Sequence, residues 1–232
     1  METDAAALAA LCASTPSQPT LAWVNGVGVI AANAMKCGQP QLQVSRGTGS
    51  KATTGEIASV VARRGITSLV SIKGRNFCRI GNTDLVSWVI PSLMMRASGV
   101  NPENDPKTIK DYAENADLVN AVAGSQCDAA AIPDASAKEL VTDDKAVSAK
   151  VTIIETSVEF PYAVLMASSD IPLSMISALN DELVSLSKDT KLKTNLSKLL
   201  DQSTLVPVKP EDLQPLLDFA ATTRQNFAQL GN

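Results

Sequence analysis

The chain has 232 residues, a net charge of −4 and 45% hydrophobic residues, with only 3% aromatic residues. This length suffices to bury a core as one domain or two small lobes, and the composition is that of a soluble α/β protein. The negative charge argues against a nucleic-acid surface or a polybasic membrane patch, and no apolar run approaches the ~18 residues of a membrane span.

The amino-terminal third alternates between helical and extended patterns. Asp4 is suited to cap a first helix, and the Asn25-Gly26 turn separates a buried strand from a helix of small residues. The predicted elements are helices at 5–12 and 27–35 and strands at 20–24, 41–45 and 56–63.

The middle of the chain begins with a short helix at 66–73 that resembles a linker. Beyond it, strands and helices alternate with short joints, which predicts a parallel-type sheet covered on both faces. The predicted strands are 76–80, 109–112, 128–132 and 151–155, and the predicted helices are 85–98, 116–123 and 135–141.

The carboxy-terminal part returns through Pro161 into a strand at 162–167 and then becomes helical. Proline at the first turn and aspartate at the cap mark helix starts. The predicted helices run from Pro172 to Ser187, from Asp189 to Leu200 and from Pro210 to about Leu230.

Residues 76–91 are the first candidate for a ligand site. In this stretch a strand leads through a polar turn into a helix that Asp84 caps and Gly99 ends. A turn that opens a helix offers free backbone N–H groups and the positive end of the helix dipole, and these can hold an anion or polar ligand. The alternative is an ordinary strand–helix joint with an aspartate cap, as occurs in any α/β domain.

The residues available for catalysis or metal binding are few. The absence of histidine excludes histidine triads and histidine-ligated metals. The spacing of the four cysteines fits no metal site, and no nucleophile–base pair is visible. We therefore expect no enzyme, no metal and no cofactor.

Three segments resemble the second lobe of periplasmic phosphonate- and phosphite-binding proteins of ABC importers. They are Trp88 to Met94, Gly99-Val100-Asn101-Pro102 and Asp128-Ala129-Ala130. The similarity extends more weakly over nearly the whole chain. It implies a two-lobed α/β fold of the type II periplasmic-binding class, with residues 1–70 and 159–232 in lobe 1 and residues 71–158 in lobe 2.

The resemblance also implies that the first lobe is incomplete and that the cysteines are paired. The family's opening strand, helix and strand are missing before Thr3, so we expect a truncated chain with an incomplete first lobe, and we see no signal-peptide pattern within these residues. A binding protein of this type suggests two disulfides, Cys12–Cys37 and Cys78–Cys127, whereas four buried free thiols are the alternative.

The family binds its tetrahedral ligand with three hydroxyl side chains, helix N–H groups, and histidine, acid and tyrosine contacts. In this chain the hydroxyl positions become Asp84, Leu85 and Val86, the following glycine becomes Ser87, and the histidine becomes Asn115. In lobe 1 the resemblance implies contacts from Asn25, from Thr53 and Thr54, and from Tyr162 beside the acid position.

A carboxylate at the ligand-binding turn would repel a phosphonate and compete for the same N–H donors. Asp84 is either only a helix cap, a contact for a cationic or hydroxyl-rich ligand, or a sign that the pocket is not functional. Five arginines could neutralise an anion: Arg46, Arg63, Arg64, Arg75 and Arg79.

The resulting hypothesis is a periplasmic or extracellular substrate-binding component of an ABC importer. It would close by a hinge on a small polar or anionic solute and deliver that solute to a membrane permease. A sensing or interaction domain that reuses the fold without transport is the alternative, and we expect no nucleic-acid partner.

Overall fold

The computed structural model describes residues 4–189 and 204–231, which form parts of two compact units. Unit 1 comprises residues 1–55, 160–217 and 226–232, and unit 2 comprises residues 56–159 and 218–225. Residues 56–70 were expected in lobe 1. They belong to unit 2 because the strand at Ala58–Arg63 hydrogen-bonds to two other strands of that unit.

The regular elements are numbered in chain order. The helices are α1 (Asp4–Cys12), α2 (Gly26–Met35), α3 (Ile90–Ala97), α4 (Asn115–Ala123), α5 (Asp134–Asp143), α6 (Lys145–Ser148), α7 (Leu173–Lys188) and α8 (Pro210–Thr222). The strands are β1 (Leu21–Val24), β2 (Gln39–Ser45), β3 (Gly55–Glu56), β4 (Ala58–Arg63), β5 (Asn76–Arg79), β6 (Thr108–Asp111), β7 (Ala129–Pro133), β8 (Val151–Thr156), β9 (Phe160–Pro161), β10 (Val164–Ala167) and β11 (Thr204–Pro207). Short 3₁₀ helices occupy Gly49–Lys51, Leu69–Ile72 and Phe227–Gly231, and a π-helix occupies Leu85–Val89.

Unit 1 contains a four-stranded sheet in the order β1-β10-β2-β11, in which every neighbouring pair is antiparallel. Its core joins Leu42, Leu165 and Leu205 of the sheet to Leu183 and Val184 of α7. β11 was not predicted, because a run of four residues that ends in proline carries little strand periodicity. The predicted helix over 189–200 falls on residues 190–200, outside the described part of the chain.

Unit 2 contains a five-stranded sheet in the order β6-β5-β7-β4-β8. β5 runs parallel to β6 and β7, whereas β4 runs antiparallel to β7 and β8. The four strands for which a parallel arrangement was expected, β5 to β8, all run in one direction. β4, which was expected in lobe 1, pairs between β7 and β8 and runs against them. Apolar periodicity identifies a buried strand but carries no information on its direction, which long-range pairing decides.

Two predicted helices end or break differently in the structure. The helix predicted at 85–98 is a π-helix followed by α3, and Gly99, at φ +74°, follows its carboxy-terminal cap as predicted. The last helix, predicted to reach Leu230, ends at Thr222. There the Thr222 and Thr223 hydroxyls bond to carbonyls three residues earlier, and Arg224 has a φ of +55°.

The cysteines form two disulfides, Cys12–Cys37 in unit 1 and Cys78–Cys127 in unit 2. Their Cα atoms are 5.1 and 6.0 Å apart, below the limit of about 7 Å for a bridge. The second bridge links β5 to the start of β7 within the buried core of unit 2.

The described helices include none that is long and apolar enough to cross a bilayer.

Candidate functional site

The turn that follows β5 is built around the carboxylate of Asp84. This residue has an extended conformation, with φ −69° and ψ 124°, and its Oδ1 accepts a hydrogen bond of 2.7 Å from the Ser87 backbone N–H. This is the geometry of a helix cap, in which a side-chain oxygen satisfies a free N–H of the first turn. One of the N–H groups that could contact a ligand is therefore already bonded within the protein.

Ser87 stabilises the same turn through a second hydrogen bond, which joins its side chain to the backbone before the turn. Its side chain is buried, and its Oγ accepts a hydrogen bond of 2.9 Å from the Ile80 N–H. Leu85 and Val86, which stand at the remaining hydroxyl positions of the resembled site, are half-buried and aliphatic. The Ser87 hydroxyl thus supports the turn, and Leu85 and Val86 add no polar side-chain atom to it.

The backbone beyond Asp84 widens into the π-helix. The Val89 N–H donates to the Asp84 carbonyl at 3.0 Å, and the Ile90 N–H donates to the Leu85 carbonyl, so both bonds span five residues. Single π-helical turns are rare and occur often at functional sites. Pro91 lies in the first turn of α3, directly after the π-helix, and has no backbone N–H to donate to the preceding turn.

Arg79, the cation nearest the turn in sequence, is engaged in contacts within unit 2. Its guanidinium lies 4.5 Å from the centre of the Trp88 ring, and its Nε donates to Asp111 Oδ1 at 2.7 Å. Asp111 neutralises its charge, and Trp88 packs in turn near Phe77. The contacts of Arg79 therefore link β5 to β6 and to the π-helix.

Asn115 lies at the same edge of the sheet as the Asp84 turn. β5 and β6 are parallel neighbours, and the Tyr112 N–H beyond β6 donates to the Arg79 carbonyl at 2.8 Å. Asn115 is the first residue of α4, which follows β6, and it is half-buried. Loops at the carboxyl ends of parallel strands meet at one edge, which is where open α/β sheets place their ligands.

In unit 1 the structure brings Tyr162 and Thr53 together. The Tyr162 hydroxyl lies 2.9 Å from Thr53 Oγ1, and the Tyr162 N–H donates to the Thr54 carbonyl at 3.0 Å. Arg46 completes the cluster, since its guanidinium lies 4.1 Å from the centre of the Tyr162 ring and its backbone pairs with that of Thr53. The group combines a cation, a phenol and an exposed hydroxyl.

Asn25 caps α2 in the same unit, because its Oδ1 accepts a 3.0 Å hydrogen bond from the Gly28 N–H. Gly26 lets this helix start approach β9, since a Cβ added there would lie 3.1 Å from the Phe160 ring. The α2 start therefore packs against the residues that immediately precede Tyr162. Asn25, Thr53, Thr54 and Tyr162 thus belong to unit 1, whereas Asn115 and the residues 84–87 belong to unit 2.

The sequence profile of one family, described as the periplasmic substrate-binding proteins of phosphonate ABC transporters, matches residues 17–213. The chain belongs to this family. It is a family of substrate-binding proteins of the periplasm rather than a class of enzymes, and its members work with a membrane permease. No curated protein matches the chain.

Solved structures similar to this chain have the type II periplasmic-binding fold. The Xanthomonas citri protein XAC2383, bound to chloride, is 15% identical with a TM-score of 0.59, over 88% of this chain and 76% of that one. A binding component of a Pseudomonas aeruginosa phosphonate ABC transporter is 16% identical with a TM-score of 0.56, over 97% and 74%. Prochlorococcus marinus PhnD1, in complex with methylphosphonate, is 10% identical with a TM-score of 0.50, over 95% and 83%.

Within this family fold, the position of Arg46 beside Tyr162 was not predicted from the sequence. It named Arg46 only among five arginines that could neutralise an anion. The two residues are far apart in the sequence, so no local pattern connects them. Among the described residues, no cluster of three or more cysteine or acidic side chains could hold a metal ion.

Proposed function

We propose that this protein is the substrate-binding component of an ABC importer whose ligand is not a phosphonate. The family and the fold support a binding role in transport. The observation that supports a different ligand is the Asp84 carboxylate. It lies at the start of the helical segment after β5 and accepts a hydrogen bond from the Ser87 N–H. The protein then works outside the cytoplasmic membrane and delivers its solute to a permease.

The electrostatics of the turn disfavour a dianion. At about 4 Å and an effective dielectric constant near 20, each pair of like charges costs about 4 kcal/mol. A hydrogen bond to a charged group returns only about 1.5–3 kcal/mol. A phosphonate at this turn would therefore lose more through repulsion by Asp84 than a single new hydrogen bond returns.

The same carboxylate favours a different chemistry. An ionised carboxylate accepts hydrogen bonds and has more acceptor positions than the single Ser87 N–H fills. Amines and hydroxyl groups donate to such an oxygen, so a cationic or hydroxyl-rich solute fits the Asp84 turn. In unit 1, the Thr53 and Tyr162 hydroxyls and the Arg46 guanidinium offer further polar contacts.

A thermal-shift screen tests this proposal, because a ligand that binds only the folded chain raises its melting temperature. The panel comprises phosphonates, phosphite, sulfonates, amines and polyols. We expect stabilisation by a member of the amine or polyol classes and none by phosphonates or phosphite. The Asp84→Asn variant keeps a capping oxygen and removes the charge, so it should reduce the shift given by an amine.

Stabilisation by phosphonates alone would refute the altered ligand while leaving the binding role intact. Stabilisation by no class of solute would argue against a functional binding site. A Lys138→Gln variant, which changes a charge on α5 outside the proposed contacts, is the matched control and should behave as the unmodified chain does.

A further inference from the structure

A cavity of about 500 Å³ lies in unit 2 at the end of the sheet opposite the Asp84 turn. Three cationic side chains, Arg63, Arg64 and Lys150, and the end of α4 at residues 122–125 line it. β4 ends there, whereas β7 and β8 begin there, and the Asp84 turn follows the opposite end of the parallel strand β5. The cavity is therefore separate from the predicted ligand contacts.

One of the three cations is neutralised by a buried carboxylate. Asp128 is 8% exposed, forms an ion pair with Arg63 and accepts the Asn76 N–H at 2.8 Å. Desolvation opposes its ionisation, but the Asn76 and Arg63 hydrogen bonds and the charges of Arg63 and Arg75 outweigh it and lower the pKa of Asp128. The buried Nε of Arg63 has no hydrogen-bond partner within the described part of the chain.

The other two cations have no carboxylate partner among the described side chains. Arg64 donates Nε and Nη2 to the Ser148 carbonyl at 3.1 and 2.8 Å, which fixes its guanidinium while leaving its charge uncompensated. Its backbone N–H donates to the Lys150 carbonyl at 2.8 Å, so the two cations are held side by side. The nearby Asp144 carboxylate caps α6, where it accepts the Ala146 and Val147 N–H groups.

Three of the last four carbonyl groups of α4, those of residues 120–122, accept hydrogen bonds from the backbone that follows the helix. The backbone N–H groups of residues 124–127 donate to the carbonyls of Asn120, Ala121 and Val122. Bonded carbonyls leave little of the partial negative charge that an open helix end carries. Ser125, at φ +61°, adds a hydroxyl-bearing residue to the wall.

We propose that this cavity binds a phosphate group, either free or attached to a small organic molecule. A tetrahedral oxyanion matches the planar donor fork of arginine and the point charge of lysine, and two uncompensated cations match its two negative charges. The volume exceeds what the bare ion fills, so a small carrier fits beside it. This site is independent of the importer role proposed above.

Titration of the ¹⁵N-labelled full chain with inorganic phosphate, followed by amide NMR, tests the site. We expect saturable shifts at residues 63–66, 122–126 and 150–151, against a chloride titration at matched ionic strength. Lys150→Gln and Arg64→Gln should each weaken binding about tenfold. Lys138→Gln removes the same charge from α5, at the other end of the sheet, and should leave the affinity unchanged.

A second titration with glycerol phosphate separates the two sources of the group. If glycerol phosphate binds more tightly than inorganic phosphate, the ligand is an organic phosphate. If inorganic phosphate binds more tightly, the ligand is free phosphate. Either result supports the site. Shifts that follow ionic strength alone, or equal affinity in all three variants, would overturn it. Shifts confined to residues 81–89 would also overturn it, because they would assign the anion to the Asp84 turn.

Discussion

Asp84 combines a structural role at a helix start with a negative charge on which our proposal of a different ligand rests. Its carboxylate satisfies the Ser87 N–H, which is a structural task that serine, threonine or asparagine performs equally well. Only its negative charge distinguishes it from those residues. Substitutions at this position can therefore separate the capping role from the electrostatic role.

The capping role predicts a difference between two variants at position 84. Asp84→Ala removes the acceptor of the Ser87 N–H and should lower the free energy of unfolding by about 1 kcal/mol. Asp84→Asn keeps a side-chain oxygen and should change the free energy by less than half as much. Urea denaturation measures both, and equal losses in the two variants would show that the cap does not depend on this oxygen.

Asp128 predicts a pH dependence of stability. Its pKa in the folded protein lies below the ordinary value of 3.8, so it contributes stability above that value and loses the contribution as the pH falls below it. Asp128→Asn should cost about 1–2 kcal/mol at neutral pH, because the Arg63 guanidinium loses its charged partner while the Asn76 N–H keeps an acceptor.

Denaturation of the Asp128→Asn variant and the unmodified chain at a series of pH values checks this contribution. The difference in the free energy of unfolding should be constant near neutrality and should shrink as the pH falls through about 4 towards 3. A difference that persists undiminished in acid would mean that charge is not its source. Asp117→Asn, on the exposed face of α4, is the matched control.

At the scale of the elements, local sequence patterns predicted where most strands and helices lie but not how the strands pair or in which direction they run. Apolar periodicity and caps located β5, α4 and α7 to within a few residues, because these patterns depend on neighbours in sequence. The direction of β4 and the existence of β11 depend on pairing with distant strands. The π-helix depends on the Asp84 carbonyl accepting from Val89, which no residue pattern encodes.

The candidate site was predictable to a smaller extent. Its residues were named from the family resemblance, whereas composition and spacing indicated only a polar turn before a helix. The structure adds the contact between Arg46 and Tyr162 and the use of Ser87 as an internal acceptor. Both depend on side-chain positions that tertiary packing decides.

The two disulfides predict unequal losses when they are removed. Cys78 and Cys127 are 49 residues apart and buried in the unit 2 core, whereas Cys12 and Cys37 are 25 residues apart and Cys12 is exposed. Chain entropy alone gives about 4 kcal/mol for the longer loop and about 3.5 kcal/mol for the shorter one. Replacement of the buried pair by alanine also leaves a cavity, which increases its cost.

Guanidinium denaturation of the two double-alanine variants measures these losses. We expect Cys78→Ala with Cys127→Ala to lower the free energy of unfolding more than Cys12→Ala with Cys37→Ala. The reverse order would contradict both arguments, because loop length and burial each predict the larger loss for the Cys78 and Cys127 pair. Reduction of the unmodified chain breaks both bridges without removing side-chain atoms, so it should reproduce only the part of the loss that comes from loop closure.

At the scale of the whole molecule, family membership and ligand identity rest on different residues. The profile match over residues 17–213 spans the positions that build the four-stranded and five-stranded sheets and the helices around them. The ligand depends on a few side chains, and the β5 turn presents an acid and two aliphatic residues at the positions where the family resemblance implies hydroxyls. The family thus establishes a binding protein, while the altered turn supports our proposal of a different solute.

Calorimetric titration with 2-aminoethylphosphonate, methylphosphonate and phosphite tests the central claim most directly. The samples are the unmodified chain and the triple variant Asp84→Ser, Leu85→Thr and Val86→Ser, which restores three hydroxyls and keeps a capping oxygen at position 84. We predict no micromolar binding by the unmodified chain and a gain of binding in the variant. Micromolar or tighter binding of any of these ligands by the unmodified chain would contradict the account.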